Sequence, residues 1–299
     1  MFKGISICEF RKYFQTEEDC LRYLVEIKWS VGYSCKKCAC TKSYFGRTRW
    51  YKKCALCAYD ESPTAGTLFH KMKVPLLKAF EVLFILSVRK KGMSALEIGR
   101  AYGLNKNTSA LLKRKAQYGM FSSGKHLLQN QVHVDEFAVG GKKKNKQGRS
   151  STSKKVKVVL ACEVVPHKRG KKLTLGNAYA QVIGDYSTEE LRTIFTKKVS
   201  KEAKVTTDQW PSYNPIKDTH AIEQIKSKGG ENFKELNNLV MLVKGWIRGI
   251  HRHVSKEHMQ KYLDEFFFRF NRKTFPKASF DRLIRNFMLS KPLLIKLRE

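Results

Sequence analysis

The sequence predicts a multidomain α+β protein: a small cysteine-bearing domain, then a helical region, then an α/β domain. Three observations lead there. Two Cys-x-x-Cys knuckles, Cys35/Cys38 and Cys54/Cys57, are separated by fifteen residues. Between residues 74 and 118 the apolar positions recur at helical spacing. Beyond Gly124 they alternate with period two, as half-buried strands do.

Bulk composition describes a folded chain with a polyanionic partner. Hydrophobic residues make up 42% and aromatic residues 11%, too much for a disordered basic tail. Lys and Arg number 59 against 26 Asp and Glu, a net charge of +33 that repels itself unless an anion neutralises it. A membrane is not the expected partner: there is no signal peptide, no lipidation motif and no apolar run of about 18 residues. The cations are spread along the whole chain, so nucleic acid is. All cysteines except Cys162 fall within the first 57 residues, and four have metal-ligand spacing. That points to a reducing cytoplasm rather than a disulfide-bonded secreted protein.

In chain order, "TEEDCLRYLVEIKW" begins with Thr16 as N-cap and carries Leu21, Tyr23, Leu24 and Ile27 as the apolar side of a short helix. The double knuckle follows. Four thiolates at this spacing suit one tetrahedral Zn²⁺, as in a zinc ribbon, with Cys35, Cys38, Cys54 and Cys57 as ligands and Cys40 as a competitor. The basic, aromatic "TKSYFGRTRWYKK" between them suits two strands that touch phosphate. "VPLLKAFEVLFILSVRKKG" is a long helix ended by Gly92. "SALEIGRAYGLNKNTSALLKRKAQ" then has the pattern of a helix-turn-helix: Ser94 caps the first helix, Tyr102-Gly103-Leu104 turns, and Asn107 or Thr108 opens the second. Lys113, Arg114 and Lys115 on that second helix are candidates for DNA contact.

"QVHVDEFAV", "KKVKVVLACEVV" and "LTLGNAYAQVIG" read as three antiparallel strands. Ser187 and Glu190 form a capping-box pattern for the next helix, and "AKVTTD" is a strand ending at Asp208. "THAIEQI" is a further strand, "FKELNNLVMLVKGWIRGI" a helix, and a last amphipathic helix starts at Ser255. This order is that of an RNase H-like domain. In it the first and fourth strands lie side by side, which brings Asp135 and Asp208 together. Close carboxylates repel unless they share a proton or a divalent cation, and a pair of Mg²⁺ ions can clamp both oxygens of a phosphodiester transfer. Glu136 points to the opposite face of its strand. The loop after Gly140-Gly141, with Lys142, Lys143, Lys144 and Lys146, begins a few residues from Asp135 and reads as a clamp on DNA backbone.

The knuckles, the helix pair, "VHVDEFAVGGKKK", "TTDQWPSY" and "LVKGWIRGIHRHVSKEHMQKYLDEFFFRFNRK" together resemble a bacterial insertion-sequence transposase of the DDE superfamily. The closest resemblance is to the group with an N-terminal zinc ribbon and an Asp-Asp-Asn-Lys catalytic set. The resemblance implies Asp135 and Asp208 as metal ligands, Asn237 at the third position, and Lys244 and Arg248 on phosphate. Asn238 stands equally well for Asn237, and Glu231, Glu235 and Glu265 are rival third ligands. It implies Mg²⁺ or Mn²⁺ at the catalytic site, Zn²⁺ in the ribbon, and terminal inverted repeats and target DNA as partners. It further implies a homodimer or larger assembly on paired ends and a cytoplasmic, nucleoid-associated location. The expected boundaries are 1–72 for the N-terminal helix and ribbon, 73–124 for the helix-turn-helix region, 125–275 for the catalytic domain and 276–299 for a helical tail. Two other functions suit the same residues: a regulator that binds DNA without cutting it, and an RNase H-like nuclease selective for DNA structure.

Overall fold

The computed structural model describes residues 1–121, 126–140, 155–166, 173–251 and 254–293. The chain forms two compact units, Met1–Met120 joined by the chain from Phe275 onward, and Phe121–Thr274.

The first unit contains helices α1 (Ile7–Tyr13), α2 (Glu17–Lys28), α3 (Leu76–Val88), α4 (Ala95–Tyr102), α5 (Lys106–Gly119) and, from the far end of the chain, α9 (Ser279–Leu289). Between α2 and α3 runs a small antiparallel sheet of β1 (Ser43–Phe45), β2 (Lys52–Cys54) and β3 (Asp60–Glu61). Caps expected from residue type are present: Thr16 accepts from Asp19 N–H and Ser94 from Glu97 N–H, each in a full capping box. Helix α5 starts earlier than Asn107, because Asn105 takes the N-cap and accepts from Thr108 N–H at 2.8 Å. Gly103 ends α4 in the left-handed conformation (φ 59°), which costs a glycine little.

An aromatic cluster holds the helices of this unit together. Phe10 stacks on Phe84 at 4.8 Å, and Phe280 of α9 lies 5.6–5.8 Å from Phe10, Phe14, Phe80 and Phe84. Such pairs contribute about 0.5–1.5 kcal/mol each beyond their burial. Gly119 lets α9 approach α5, since a Cβ there would lie 2.6 Å from the Phe287 ring. Buried Tyr23 donates its hydroxyl to Asp281, which also pairs with Arg285 at 2.7 Å. The C-terminal segment is therefore part of the N-terminal core, a long-range closure that local spacing cannot reveal.

In the second unit a five-stranded sheet has the order β6 (Leu173–Ile183), β5 (Val156–Pro166), β4 (Gln131–Val139), β7 (Lys204–Thr207), β8 (Ala221–Gln224). The first three strands are antiparallel, whereas β4–β7 and β7–β8 are parallel. Alternation divides β4 between two cores. Val132 and Val134 pack with α6 (Thr188–Lys198) and Tyr213; Phe137 and Val139 pack with α7 (Lys234–Ile250) and α8 (Lys256–Phe270). The turn-rich "PSYNPIKD" forms a 3-10 stretch over Pro211–Asp218. At α6, Ser187 accepts from Glu190 N–H as expected, but the Glu190 carboxylate accepts from Gly184 N–H instead of closing a capping box.

Helix α8 also seals the outer edge of β6. Gln260 accepts from Val182 N–H (2.9 Å) and donates to the Ala180 carbonyl (3.1 Å); Asn271 makes the same two-way pair with Ala178 at 2.9 Å. Lys273 donates to the Leu175 carbonyl at 2.7 Å. Side-chain amides thus occupy backbone groups that would otherwise template another strand. Several residues of "HMQKYLDEFFFRFNRK" serve the fold this way. Glu265, expected as a rival metal ligand, is fully buried and ion-paired with Arg269 at 2.9 Å.

Asp264 beside them is a built-in cost. Burial pushes its carboxyl up to about 7, against the lowering effect of the Gln260 hydrogen bond and Lys198. An unfolded aspartate ionises near pH ~4, so between about pH 4 and 7 the folded chain holds a proton that the unfolded chain lacks. Stability therefore falls as pH rises through this window, by up to about 4 kcal/mol. Asp264→Asn is expected to raise Tm at pH 8 and leave it nearly unchanged at pH 4. Equal gains at the two pH values would contradict the assignment.

Candidate active site and metal centre

The four knuckle thiols converge. The ligand atoms of Cys35, Cys38, Cys54 and Cys57 all lie within 4.8 Å of one another. Cys35 Sγ is 3.5 Å from Cys57 Sγ, and Cys38 Sγ is 3.5 Å from Cys54 Sγ. A tetrahedron with Zn–S arms of about 2.3 Å has edges of about 3.8 Å, so a cluster of this size is compatible with Zn²⁺. Cys40 is not part of the group; its thiol faces the Lys42 carbonyl at 3.7 Å. Burial raises the Cys35 thiol, but the N–H groups of Lys37 and Cys38 and the neighbouring thiols outweigh it and lower it to about 6. Around the cluster the core is tiny: Tyr33, Cys35 and Cys54, flanked by Trp29, Cys38, Cys40 and Tyr59. Below it Glu61, 1% exposed, binds Lys28 at 2.8 Å and Lys36 at 3.0 Å.

On α5 the expected DNA-contacting cations divide. Arg114 is exposed, but Lys113 and Lys115 are buried, and Lys115 Nζ donates to the Leu68 carbonyl at 2.7 Å. Those two lysines are therefore not on an outward face. The reason is helical period: Leu112, Lys113 and Ala116 share the inner side, and the outward stripe runs Lys106, Asn107, Arg114, Tyr118. Lys142, Lys143, Lys144 and Lys146 lie outside the described residues.

In the larger unit the two aspartates each follow directly on the last registered pair of adjacent parallel strands. Parallel pairing of β4 with β7 runs Val132↔Val205, His133↔Thr206 and Val134↔Thr207, so the next step in register is Asp135 and Asp208. Neighbouring strands are about 4.8 Å apart, and equal register places both side chains on one face. Asp208 is held in a tight turn: its Oδ1 accepts from Trp210 N–H at 3.0 Å, and Gln224 Nε2 donates to the carbonyls of Asp208 (3.4 Å) and Trp210 (3.1 Å). Asp135 Oδ1 accepts from Glu136 N–H at 2.8 Å.

Two contacts fix the path of α7 across that face. Phe233, at its start, meets the His133 ring at 5.4 Å, and Lys244 Nζ lies 5.4 Å from the Phe137 ring centre. Those points are eleven residues apart on the helix and four apart on the strand, about 16 Å and about 13 Å. Helix and strand therefore run alongside each other, and the α7 residues between the anchors pass Asp135. Asn237 is one of them, half-buried, its amide donating to the Gly230 carbonyl at 3.2 Å; Asn238 is exposed. Glu231 is exposed before the helix begins, and Glu235 acts electrostatically on His133.

Burial lowers Lys244 from the usual lysine range, and the like charges of Arg248 and Lys155 lower it further. Lys155 stands at the start of β5, a position that did not stand out in the sequence beside the denser run at 142–146. Tyr213 is a second unforeseen neighbour. It is fully buried on the other face of β4, and burial raises its hydroxyl well above the ordinary range, with further contributions from Glu136, Asp135 and Asp208. Its position in "TTDQWPSY" was the available signal. His251 stacks on Tyr262 at 3.7 Å.

A mixed five-stranded sheet with helices on both faces, bearing paired acids where parallel strands end, is compatible with the catalytic domain of a transposase. Residues 127–271 match the model of the ISXO2-like transposase domain. No curated protein matches the chain. Among the described residues, no helix is long and apolar enough to cross a membrane.

Proposed function

We propose that the protein is a DNA transposase that binds the terminal inverted repeats of its element and cuts and joins strands in an RNase H-like domain. The observation that supports this reading is the parallel β4–β7 register, whose last pair, Val134↔Thr207, leaves Asp135 and Asp208 each one residue further on, within the segment that matches the transposase domain. Two carboxylates and the Asn237 carbonyl oxygen are a hard, oxygen-rich donor set suited to Mg²⁺ or Mn²⁺. Such ions, when bound, supply Lewis-acid stabilisation of the attacking and leaving oxygens.

The remaining work falls to the chain. Trp210 N–H and Gln224 hold the Asp208 turn, so the carboxylate keeps its orientation as DNA enters. Lys244, resting on the Phe137 ring beside Arg248 and Lys155, offers concentrated positive charge to the phosphate next to the acids. The Cys₄ domain and the α4–α5 pair bind the element ends, with Lys106, Asn107 and Arg114 outermost on α5.

The test is incubation of terminal-repeat DNA with the protein and Mg²⁺ or Mn²⁺. Site-specific nicking and strand joining support the reading; binding without cleavage in either metal sinks the enzymatic part. Binding itself is expected to weaken about a hundredfold or more between about 50 and 200 mM salt, because many phosphates are neutralised. A flat salt response in an anisotropy titration would contradict DNA as the partner.

A further inference from the structure

The segment between the two knuckles has a composition and geometry that binding of duplex phosphates does not explain. From Lys36 to Lys53 it contains seven cations, no acid, and the aromatics Tyr44, Phe45, Trp50 and Tyr51. Two of those rings are covered: Arg49 lies over Trp50 at 4.6 Å and Arg47 over Tyr51 at 5.1 Å. The other two are not. Tyr44 is 70% exposed and Phe45 82%, and neither has a ring or cation partner among the described residues.

Pairing assigns each open ring a neighbour. Tyr44 faces Lys53 across the β1–β2 hairpin, and Phe45 faces Lys52. Lys52 is turned inward, its ammonium 5.3 Å from the Trp29 ring and 5.7 Å from Tyr33. Lys53 is exposed. The one acid on its face is Asp60, opposite it on β3, and Asp60 is engaged by Arg47 through the backbone N–H at 3.2 Å and the guanidinium at 3.6 Å. What remains on that face is an open aromatic ring opposite an exposed lysine, with Asp60 Oδ2 held by Arg47.

We propose that the Tyr44–Lys53 face of the hairpin is a binding site for unpaired nucleotides, with a base stacked on Tyr44 and the adjoining phosphate on Lys53. This rests on the reading of the chain as a DNA-binding protein and names the form of DNA this part of it takes. Each base inside a duplex is covered on both faces by its neighbours, so an open ring finds a base face only at an end, a nick or a melted step. Stacking is tolerant of sequence, because every base has such a face. A site of this kind suits the frayed or cleaved end of an element, while α5 is free to read duplex.

The test uses the full-length, zinc-loaded protein in anisotropy titrations against a labelled oligothymidine and a blunt hairpin duplex. Tyr44→Ala is expected to weaken oligothymidine binding about tenfold or more while changing duplex binding less than about twofold. Tyr44→Phe keeps the ring and is expected to behave as wild type. Unchanged zinc content shows that the variants keep the domain. No loss on oligothymidine overturns the proposal, as does an equal loss on both DNAs, which would mean a groove-inserted wedge. So would a change in oligomeric state with Tyr44→Ala, seen by sedimentation, which would assign the ring to a contact between copies. If the wild type binds neither DNA, the DNA reading itself fails, an outcome distinct from the others.

Discussion

Changing Asp135 or Asp208 to alanine is expected to reduce strand cleavage to background while leaving binding of the element ends within a few-fold of wild type. The two acids lie at the end of a parallel strand pair, and either alone leaves a cation half its charge compensation. Removing one takes away an ionic ligand and also the like charge whose repulsion favours metal uptake. On the proposed reading DNA binding rests on other groups, the exposed cations of the first unit and Lys244 with Arg248. Asp208→Asn is the informative companion, because its amide oxygen can still accept from Trp210 N–H and keep the turn. It should fold as wild type and still fail to cut. Labelled terminal-repeat DNA, followed for cleavage in Mg²⁺ and for gel shift in Ca²⁺, reads the two effects separately. Loss of binding in both alanine variants would make the acids structural, and full cleavage by either would place the chemistry elsewhere.

The second large effect is on the Cys₄ domain. Chelating the metal, or Cys54→Ser, is expected to unfold residues around 30–62 while the helices of the same unit stay folded. The apolar core there is too small to hold a sheet of two- and three-residue strands. Structural zinc in such modules contributes about 10–16 kcal/mol, which is most of the folding energy. The helices have their own aromatic core around Phe280 and do not depend on it. Near-UV circular dichroism should lose the contribution of Trp29 and Trp50 while that of Trp210 and Trp246 remains, whereas the far-UV helical signal should fall only slightly. Parallel loss of both signals would show a single cooperative unit and refute the separation.

How far the sequence could be read depended on whether a feature is local. Strand β4 is legible to the residue, because Val132/Val134 and Phe137/Val139 each show period-two spacing, the phase changing at Asp135-Glu136 where burial passes from one face to the other. Caps at Thr16 and Ser94 were legible for the same reason: a short polar side chain and an acid three residues on are sufficient cause. Helix α1 was passed over, since seven residues give too few turns for a periodic signal. Charge alone makes Lys113 and Lys115 candidates for DNA contact, whereas both are buried. A lysine's long apolar stem can be buried if the ammonium finds a carbonyl, as Lys115 does at Leu68.

The sequence by itself determined the Cys₄ spacing, the switch from helical to alternating period, and the two aspartates, Asp135 within a strand and Asp208 at the end of one. Each depends on residues within one or two turns or strands, so side-chain chemistry and backbone period suffice. Only the tertiary structure decided what meets across long separations. It paired β7 in parallel with β4 up to Val134↔Thr207, one residue short of each aspartate, laid α7 along β4, and buried Tyr213 on the other face of the sheet. It gave Gln260 and Asn271 the edge of β6 rather than the reaction, and returned Phe280 to a core made by the first hundred residues. These outcomes follow from burial of apolar faces against partners distant in sequence, a choice that no local pattern encodes.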